Sequence, residues 1–291
     1  MRLPVLALLA LLSSTAALAQ STDLPKAVYT DPPRDAAHPA RMEVLHIPSG
    51  TVRINGVAYL AAGAGTHPTL VICHGLPGNE KNLDLAQAVR RAGWNAITFN
   101  YRGSWGSPGR YRFSQNPEDA RAVLAFLREP ANAARLGIDT QQLAIVGHSM
   151  GGWVAAQVGG QDGTLRGVGL ISAANVGNMG SQKRADVVKR MAGNREALAG
   201  VTAESMADEL IAHQRDFDFL QQAKGLSGKS VLILSSDDGL APGTDALAAA
   251  IRASGGTSVL TQHVATDHSW SDNRITLQAQ LIRWLQSLQP G

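Results

Sequence analysis

The chain has 291 residues and a formal charge of +3, from 26 Lys or Arg against 23 Asp or Glu. The basic residues are scattered and aromatics make up only 5%, so neither the electrostatic footprint nor the stacking platform of a nucleic-acid binder is present. Cys73 is the single cysteine, which excludes an internal disulfide framework and leaves stability to a packed core.

The first stretch, "MRLPVLALLALLSSTAALAQ", has the layout of an export signal. Arg2 supplies the positive start, residues 5–12 an apolar run, and Ala17-Leu18-Ala19 an A-x-A cleavage site, so residues 1–19 are expected to be removed. The apolar run is short for a bilayer span, and no later segment suggests one. A periplasmic or secreted protein is predicted. Residues 20–41, with "DPPRDAAHPAR", read as an extended lead-in to a domain over 42–291.

That domain opens with "MEVLHIPSGTVRINGVAYLAAG", two strands around Pro48-Ser49-Gly50 that predict a hairpin at a sheet edge. Apolar runs at 69–74, 94–100, 142–147, 165–172, 230–236 and 258–263 then alternate with helical patterns near 81–92, 117–127, 150–158, 243–253 and 272–288. Asn116 is expected to cap the second helix, with Pro117 at its first position. Near-continuous apolar strands indicate a buried parallel sheet. Their alternation with helices predicts an α/β fold, helices on both faces. One interval, about 176–226, breaks the alternation with polar helical texture, and is expected to fold as a helical insertion, either a lid over a site or a structural insert. Cys73, inside "TLVICHG", reads as a small buried hydrophobe.

The chemistry concentrates at "LAIVGHSMGGWVAA". Gly147-His148-Ser149-Met150-Gly151 matches G-x-S-x-G between an apolar strand and a helix, the setting of a nucleophile elbow. A serine hydroxyl needs a base, and the base an orienting acid, at the ends of later strands. Asp237 and Asp238 follow "SVLILSS", and His268 follows the last strand in "VATDHSWSDNR". The interval between Asp238 and His268 holds one helix and one strand. Two amides can form an oxyanion hole: that of Met150, and that of Leu76 after the strand ending "VICHG". Tyr101, Trp105, Met150 and Trp270 fall near the predicted rim and are candidates to line a substrate pocket. A metal site is not supported. Cys73 and His74 are adjacent on a strand and point to opposite faces, and no H-x-x-x-H or C-x-x-C occurs.

These stretches, with "HGLPGN", "FNYRGSWGSPG", "GHSMGG", "SSDDGLAP" and "TDHSW", resemble the α/β-hydrolase superfamily from about residue 69 to 288. The likeness is to dienelactone-hydrolase, prolyl-oligopeptidase-like and small bacterial esterase members. It implies an α/β-hydrolase fold with a mostly parallel central sheet. It also implies Ser149 as nucleophile, His268 as base, and Leu76 and Met150 as oxyanion donors. The superfamily's D-x-x-[VA]-P pattern fits Asp238-Gly239-Leu240-Ala241-Pro242 and so favours Asp238 over Asp237 as the acid. The expected activity is hydrolysis of a small ester, thioester or amide with no cofactor. An oligopeptidase-like peptidase, a cofactor-free perhydrolase and a silent binding module remain alternatives. The sequence leaves the oligomeric state open.

Overall fold

The computed structural model describes residues 23–289. The expected export signal and the first residues of the lead-in lie outside that range. Among the described residues no helix is long and apolar enough to cross a membrane.

Strands β1 (Arg41–Ser49) and β2 (Val52–Leu60) form the expected edge hairpin, paired from Arg41↔Leu60 to Ser49↔Val52. Gly50 sits at φ 56°, the left-handed conformation that a tight hairpin turn requires. Six more strands follow: β3 (His67–Cys73), β4 (Asn95–Phe99), β5 (Ile138–His148), β6 (Gly167–Ile171), β7 (Ser230–Ser235) and β8 (Val259–His263). The eight form one sheet in the order β1-β2-β4-β3-β5-β6-β7-β8. β2 is antiparallel to both neighbours, and every pair from β4 to β8 is parallel.

Side-chain alternation splits the core into two layers. Leu70 and Ile72 of β3 pack with Val146 of β5 under helices α1 (Leu83–Arg91) and, by its bounds, Arg274–Ser287. Val71 and Cys73 turn to the opposite layer, because successive strand residues face opposite sides. Helices that contribute to that layer include α2 (Gln115–Arg128), the helix Met150–Gly159 and the helix Ala241–Ala253. Central strands buried on both faces explain the unbroken apolar runs, whereas β1 alternates buried and exposed residues over its second half.

One local expectation is corrected and one element was not foreseen. Helix α2 begins at Gln115, and Asn116 does not cap it: the amide is buried and donates to Tyr111 Oη at 3.0 Å. A short helix, α3 (Pro130–Leu136), escaped the periodicity reading. Its signals were Pro130 at the first turn and Gly137 at φ 62° just past its end, a stop–start pair that seven residues of weak amphipathicity obscured. Beyond α4 (Met150–Gly159), the insertion is helical as expected, with α5 (Val176–Gly180), α6 (Arg184–Ala192), α7 (Ala203–Ala212) and α8 (Ala223–Leu226). Helices α9 (Ala241–Ala253) and α10 (Arg274–Ser287) complete the fold.

The insertion is docked rather than draped over a site. Val187, Met191, Met206 and Leu210 join the larger core layer. Its backbone pairs with the loop after β4, through Trp105 N–H to Ala197 O and Tyr111 N–H to Ala199 O. Glu209 accepts from the amides of Phe113 and Ser114. Such burial and pairing hold the insertion against the sheet's flank.

Candidate active site

Strand β5 ends at His148 and helix α4 starts at Met150, so Ser149 alone makes the turn. It does so at φ 58° and ψ −123°, a conformation that costs a residue with a Cβ about 1–3 kcal/mol. The flanking glycines are required by contact distances. A Cβ on Gly147 would stand 1.9 Å from Gly151 O, and one on Gly151 would stand 2.1 Å from Cys73 O. The chain can therefore cross itself only where both side chains are absent. The Ser149 amide donates to Ile171 O at 2.9 Å, which ties the turn to β6.

Asp238 and His268 come from different turns at the same end of the sheet. Asp238 follows β7, and its Oδ1 accepts from the Leu240 amide at 2.9 Å. Its Oδ2 lies 2.7 Å from His268 Nδ1. Burial of Asp238 works against its charge, but the bonds from His268 and Leu240 outweigh that cost and hold its carboxyl below the usual value. Asp237 points elsewhere, with Oδ1 2.9 Å from His263 Nε2 at the exposed edge of the sheet. With Nδ1 facing the carboxylate, His268 presents Nε2 as the free ring nitrogen.

Ser149 and His268 line one cleft of about 140 Å³, together with His148, Ser269 and residues 75–80. The hydrogen bonds of the described residues include none between Ser149 Oγ and His268. The strand β3 loop runs along the opposite wall. A Cβ on Gly75 would sit 3.0 Å from Ser149 Cβ and 3.5 Å from its Oγ, so the absence of a side chain at Gly75 keeps the space beside the hydroxyl open. Neither the Leu76 nor the Met150 amide donates in any turn or cap bond of the described residues. Three contacts brace this loop: His74 Nδ1 to Gly75 O at 2.8 Å, Tyr101 Oη to His74 O at 3.2 Å, and Trp105 Nε1 to Pro77 O at 2.6 Å.

The expected substrate-lining residues fare differently. Tyr101 and Trp270 are fully buried and do not line the cleft. Tyr101 spends its hydroxyl on the His74 carbonyl, and Trp270 donates to Ser172 Oγ at 2.9 Å, so both are structural braces. Trp105 is partly exposed but lies behind the cleft wall, its indole turned to Pro77 with Lys81 Nζ 4.4 Å over the ring. The Met150 side chain turns inward, and its sulfur accepts from Tyr111 Oη at 3.1 Å.

His148 is the residue whose role sequence reading understated. It is buried, and its Nε2 lies 2.7 Å from His268 O, so this nitrogen carries the proton. Burial first, then the neighbouring His268, push its pKa down to about 4. A neutral imidazole next to Ser149 thus holds the loop that carries His268. No motif encodes that contact, since the partner is a backbone carbonyl 120 residues away. Asn79, Glu80 and Ser269 also line the cleft and were not singled out from sequence. Cys73 is buried, and desolvation pushes its thiol up to about 12, in keeping with an inert core position. The described residues contain no group of three or more potential metal ligands.

A nucleophile-type elbow, an Asp–His pair and two free amides at the C-terminal edge of a parallel sheet define the layout of an α/β hydrolase. The chain belongs to the alpha/beta hydrolase family, whose sequence model matches residues 70–287. An uncharacterized protein of Mycobacterium tuberculosis is 27% identical over 159 residues, 53% of this chain and 55% of that relative. The chain thus spans about half the length of the curated relatives it matches first. Among solved structures, an esterase of Pyrobaculum calidifontis superposes with a TM-score of 0.65 at 17% identity, covering 87% of each chain. A putative dienelactone hydrolase of Klebsiella pneumoniae gives 0.59 at 16% identity, over 84% of this chain and 98% of the other. The acylaminoacyl peptidase of Pyrococcus horikoshii gives 0.66 at 14% identity, over 87% of this chain and 43% of the peptidase. At these identities the likeness is one of fold.

Proposed function

We propose that this protein is an exported serine hydrolase that cleaves a small carboxylic ester through an acyl-enzyme on Ser149. The observation that carries the reading is the 2.7 Å bond between Asp238 Oδ2 and His268 Nδ1, made on the same cleft as a serine held at φ 58°. Strain of that kind persists only where the surroundings over-determine it, and it clusters at reactive sites.

In this reading, substrate filling the cleft draws Ser149 Oγ and His268 Nε2 into hydrogen-bonding contact, as such bonds often tighten only in the Michaelis complex. Oγ attacks the ester carbonyl carbon while Nε2 takes its proton. Asp238 keeps the Nδ1–H tautomer and stabilises the imidazolium. The carbonyl oxygen becomes an oxyanion facing the amides of Leu76 and Met150. Collapse breaks the bond to the leaving alkoxide, which receives the proton from Nε2. Water, deprotonated by the same nitrogen, then attacks the acyl carbon; the bond to Ser149 Oγ breaks, Oγ takes the proton back from Nε2, and the acid leaves.

The 140 Å³ cleft favours a small acyl or alcohol group. The esterase and dienelactone hydrolase among the fold neighbours are consistent with an ester. The signal-like residues 1–19 support a periplasmic or secreted location. The test is labelling by a fluorophosphonate probe with turnover of p-nitrophenyl esters and aminoacyl anilides. Wild-type protein labels and turns over the esters, and Ser149→Ala does neither. Folded wild-type protein that neither labels nor hydrolyses any of these compounds refutes the proposal, and a preference for the anilides makes it a peptidase.

A further inference from the structure

We infer that the Ser149 cleft selects a substrate carrying a positive charge within a few bonds of its scissile carbonyl, held by the carboxylate of Glu80. The inference rests on Ser149 being the acyl-transfer nucleophile.

Apart from the histidines, Glu80 is the only ionisable side chain on the cleft wall; the other lining residues of the β3 loop are Gly75, Leu76, Pro77, Gly78 and Asn79. The carboxylate is fixed rather than free to swing away. Its Oε1 accepts from the Asn82 amide at 2.5 Å, and Asn82 is itself buried at φ 57°. No other hydrogen bond or ion pair of the described residues engages Glu80.

Neither nearby cation forms an ion pair with Glu80 among the described residues. Lys81 Nζ donates to Asn100 Oδ1 at 3.1 Å and stacks over Trp105. Arg274 is bidentate on Asp84 and also donates to Ser269 O at 3.0 Å and Asn82 Oδ1 at 3.1 Å. His148 stays neutral because it is buried. A carboxylate on the wall of a small concave site, without a counter-ion of its own, favours a cationic ligand.

Size fixes how far the charge lies from the carbonyl. Glu80 and Ser149 line the same cleft of about 140 Å³, well below the roughly 300 Å³ at which pockets for drug-sized ligands begin. A cation bound at Glu80 is therefore separated from a carbonyl at Ser149 by a short chain. Glu80 also lines the adjoining trough of about 550 Å³, whose wall carries Lys81 and Arg274 as well as Asp84, so uncharged substituents beyond the cation have somewhere to go. Ammonium and quaternary ammonium groups meet these conditions. The charge can belong to the acyl part, as in an aminoacyl or betaine-type ester, or to the alcohol, as in a choline-type ester.

The test uses isosteric pairs on the mature protein. On the acyl side, the p-nitrophenyl ester of trimethylammonioacetic acid is compared with that of 3,3-dimethylbutyric acid. On the alcohol side, butyrylcholine is compared with 3,3-dimethylbutyl butyrate. Each kcat/KM is divided by the uncatalysed rate in buffer, because the charge activates the ester by itself. Wild-type protein is expected to prefer the cation about five- to tenfold in one arm, the effect of one partly screened charge contact. That ratio collapses towards one in Glu80→Gln, which keeps the Oε1 acceptor, and shrinks in wild-type protein as salt rises. The responding arm identifies which half of the substrate carries the charge. Turnover of the neutral isosteres with no cation preference in either arm overturns this inference alone, as does a preference that survives in Glu80→Gln or is indifferent to salt. Absence of all turnover and of fluorophosphonate labelling overturns the hydrolase reading with it.

Discussion

Two buried histidines are expected to make this protein acid-sensitive well above the carboxylate range. His74 and His148 each have burial as the leading cause of a pKa pushed down from 6.5 to about 4. Between those values the unfolded chain binds a proton at each site and the folded chain does not, so stability rises with pH across the window. The contribution is full above pH 6.5 and is lost progressively as pH falls towards 4. From pH 8 to pH 5 the loss is about 2 kcal/mol per histidine. For the pair it is about 4 kcal/mol, a large share of a typical folding free energy of about 5–15 kcal/mol. Asp119, whose burial raises its carboxyl, acts with the opposite sign and at lower pH. The assay is urea denaturation followed by tryptophan fluorescence at half-unit steps from pH 8 to 5. The midpoint should fall steadily below pH 6.5, and His148→Gln should show roughly half the slope. A wild-type midpoint that is flat from pH 7 to pH 5 would show that neither imidazole is held neutral by burial.

The carboxylate assignment is separable in the same protein: Asp238→Asn should lower kcat by about 10³–10⁴-fold through the wrong imidazole tautomer. Asp237→Asn, which removes only the exposed contact to His263, should stay within a factor of two or so; p-nitrophenyl ester kinetics compare them, and the reverse order would transfer the role to Asp237. Relief of the elbow is measurable as stability. Ser149→Gly should abolish turnover yet raise the urea midpoint, because relieving about 1–3 kcal/mol of strain at φ 58° exceeds the added chain entropy of about 0.5–1 kcal/mol. A lowered midpoint would mean that the turn is not strained.

What the amino-acid sequence determined by itself is whatever depends on local periodicity and spacing. The apolar runs of β3, β5, β6 and β7 could be read as buried parallel strands because both their faces are covered. The elbow could be read because Gly147 and Gly151 mark a close crossing that no other residues fit. The order of Ser149, Asp238 and His268 followed from strand ends.

Tertiary structure decided the rest. Asp237 and Asp238 are chemically identical neighbours. The D-x-x-[VA]-P likeness favoured Asp238, but only the turn after β7, which aims one carboxylate at His268 and the other at His263, gives the physical reason, a backbone direction that composition does not carry. Tyr101 and Trp270 looked like rim aromatics from their positions beside the strand ends. Hydrogen bonds to His74 O and Ser172 Oγ draw them into the core, since a buried phenol or indole goes where its polar atom finds a partner. The insertion's place depends on Val187, Met191, Met206 and Leu210 joining the larger core layer and on its backbone pairing with the loop after β4. The contact of His148 with the His268 carbonyl and the presence of Glu80 in the cleft are likewise products of folding. Both bring together residues from loops far apart in sequence, and no local signal records where two distant loops will meet.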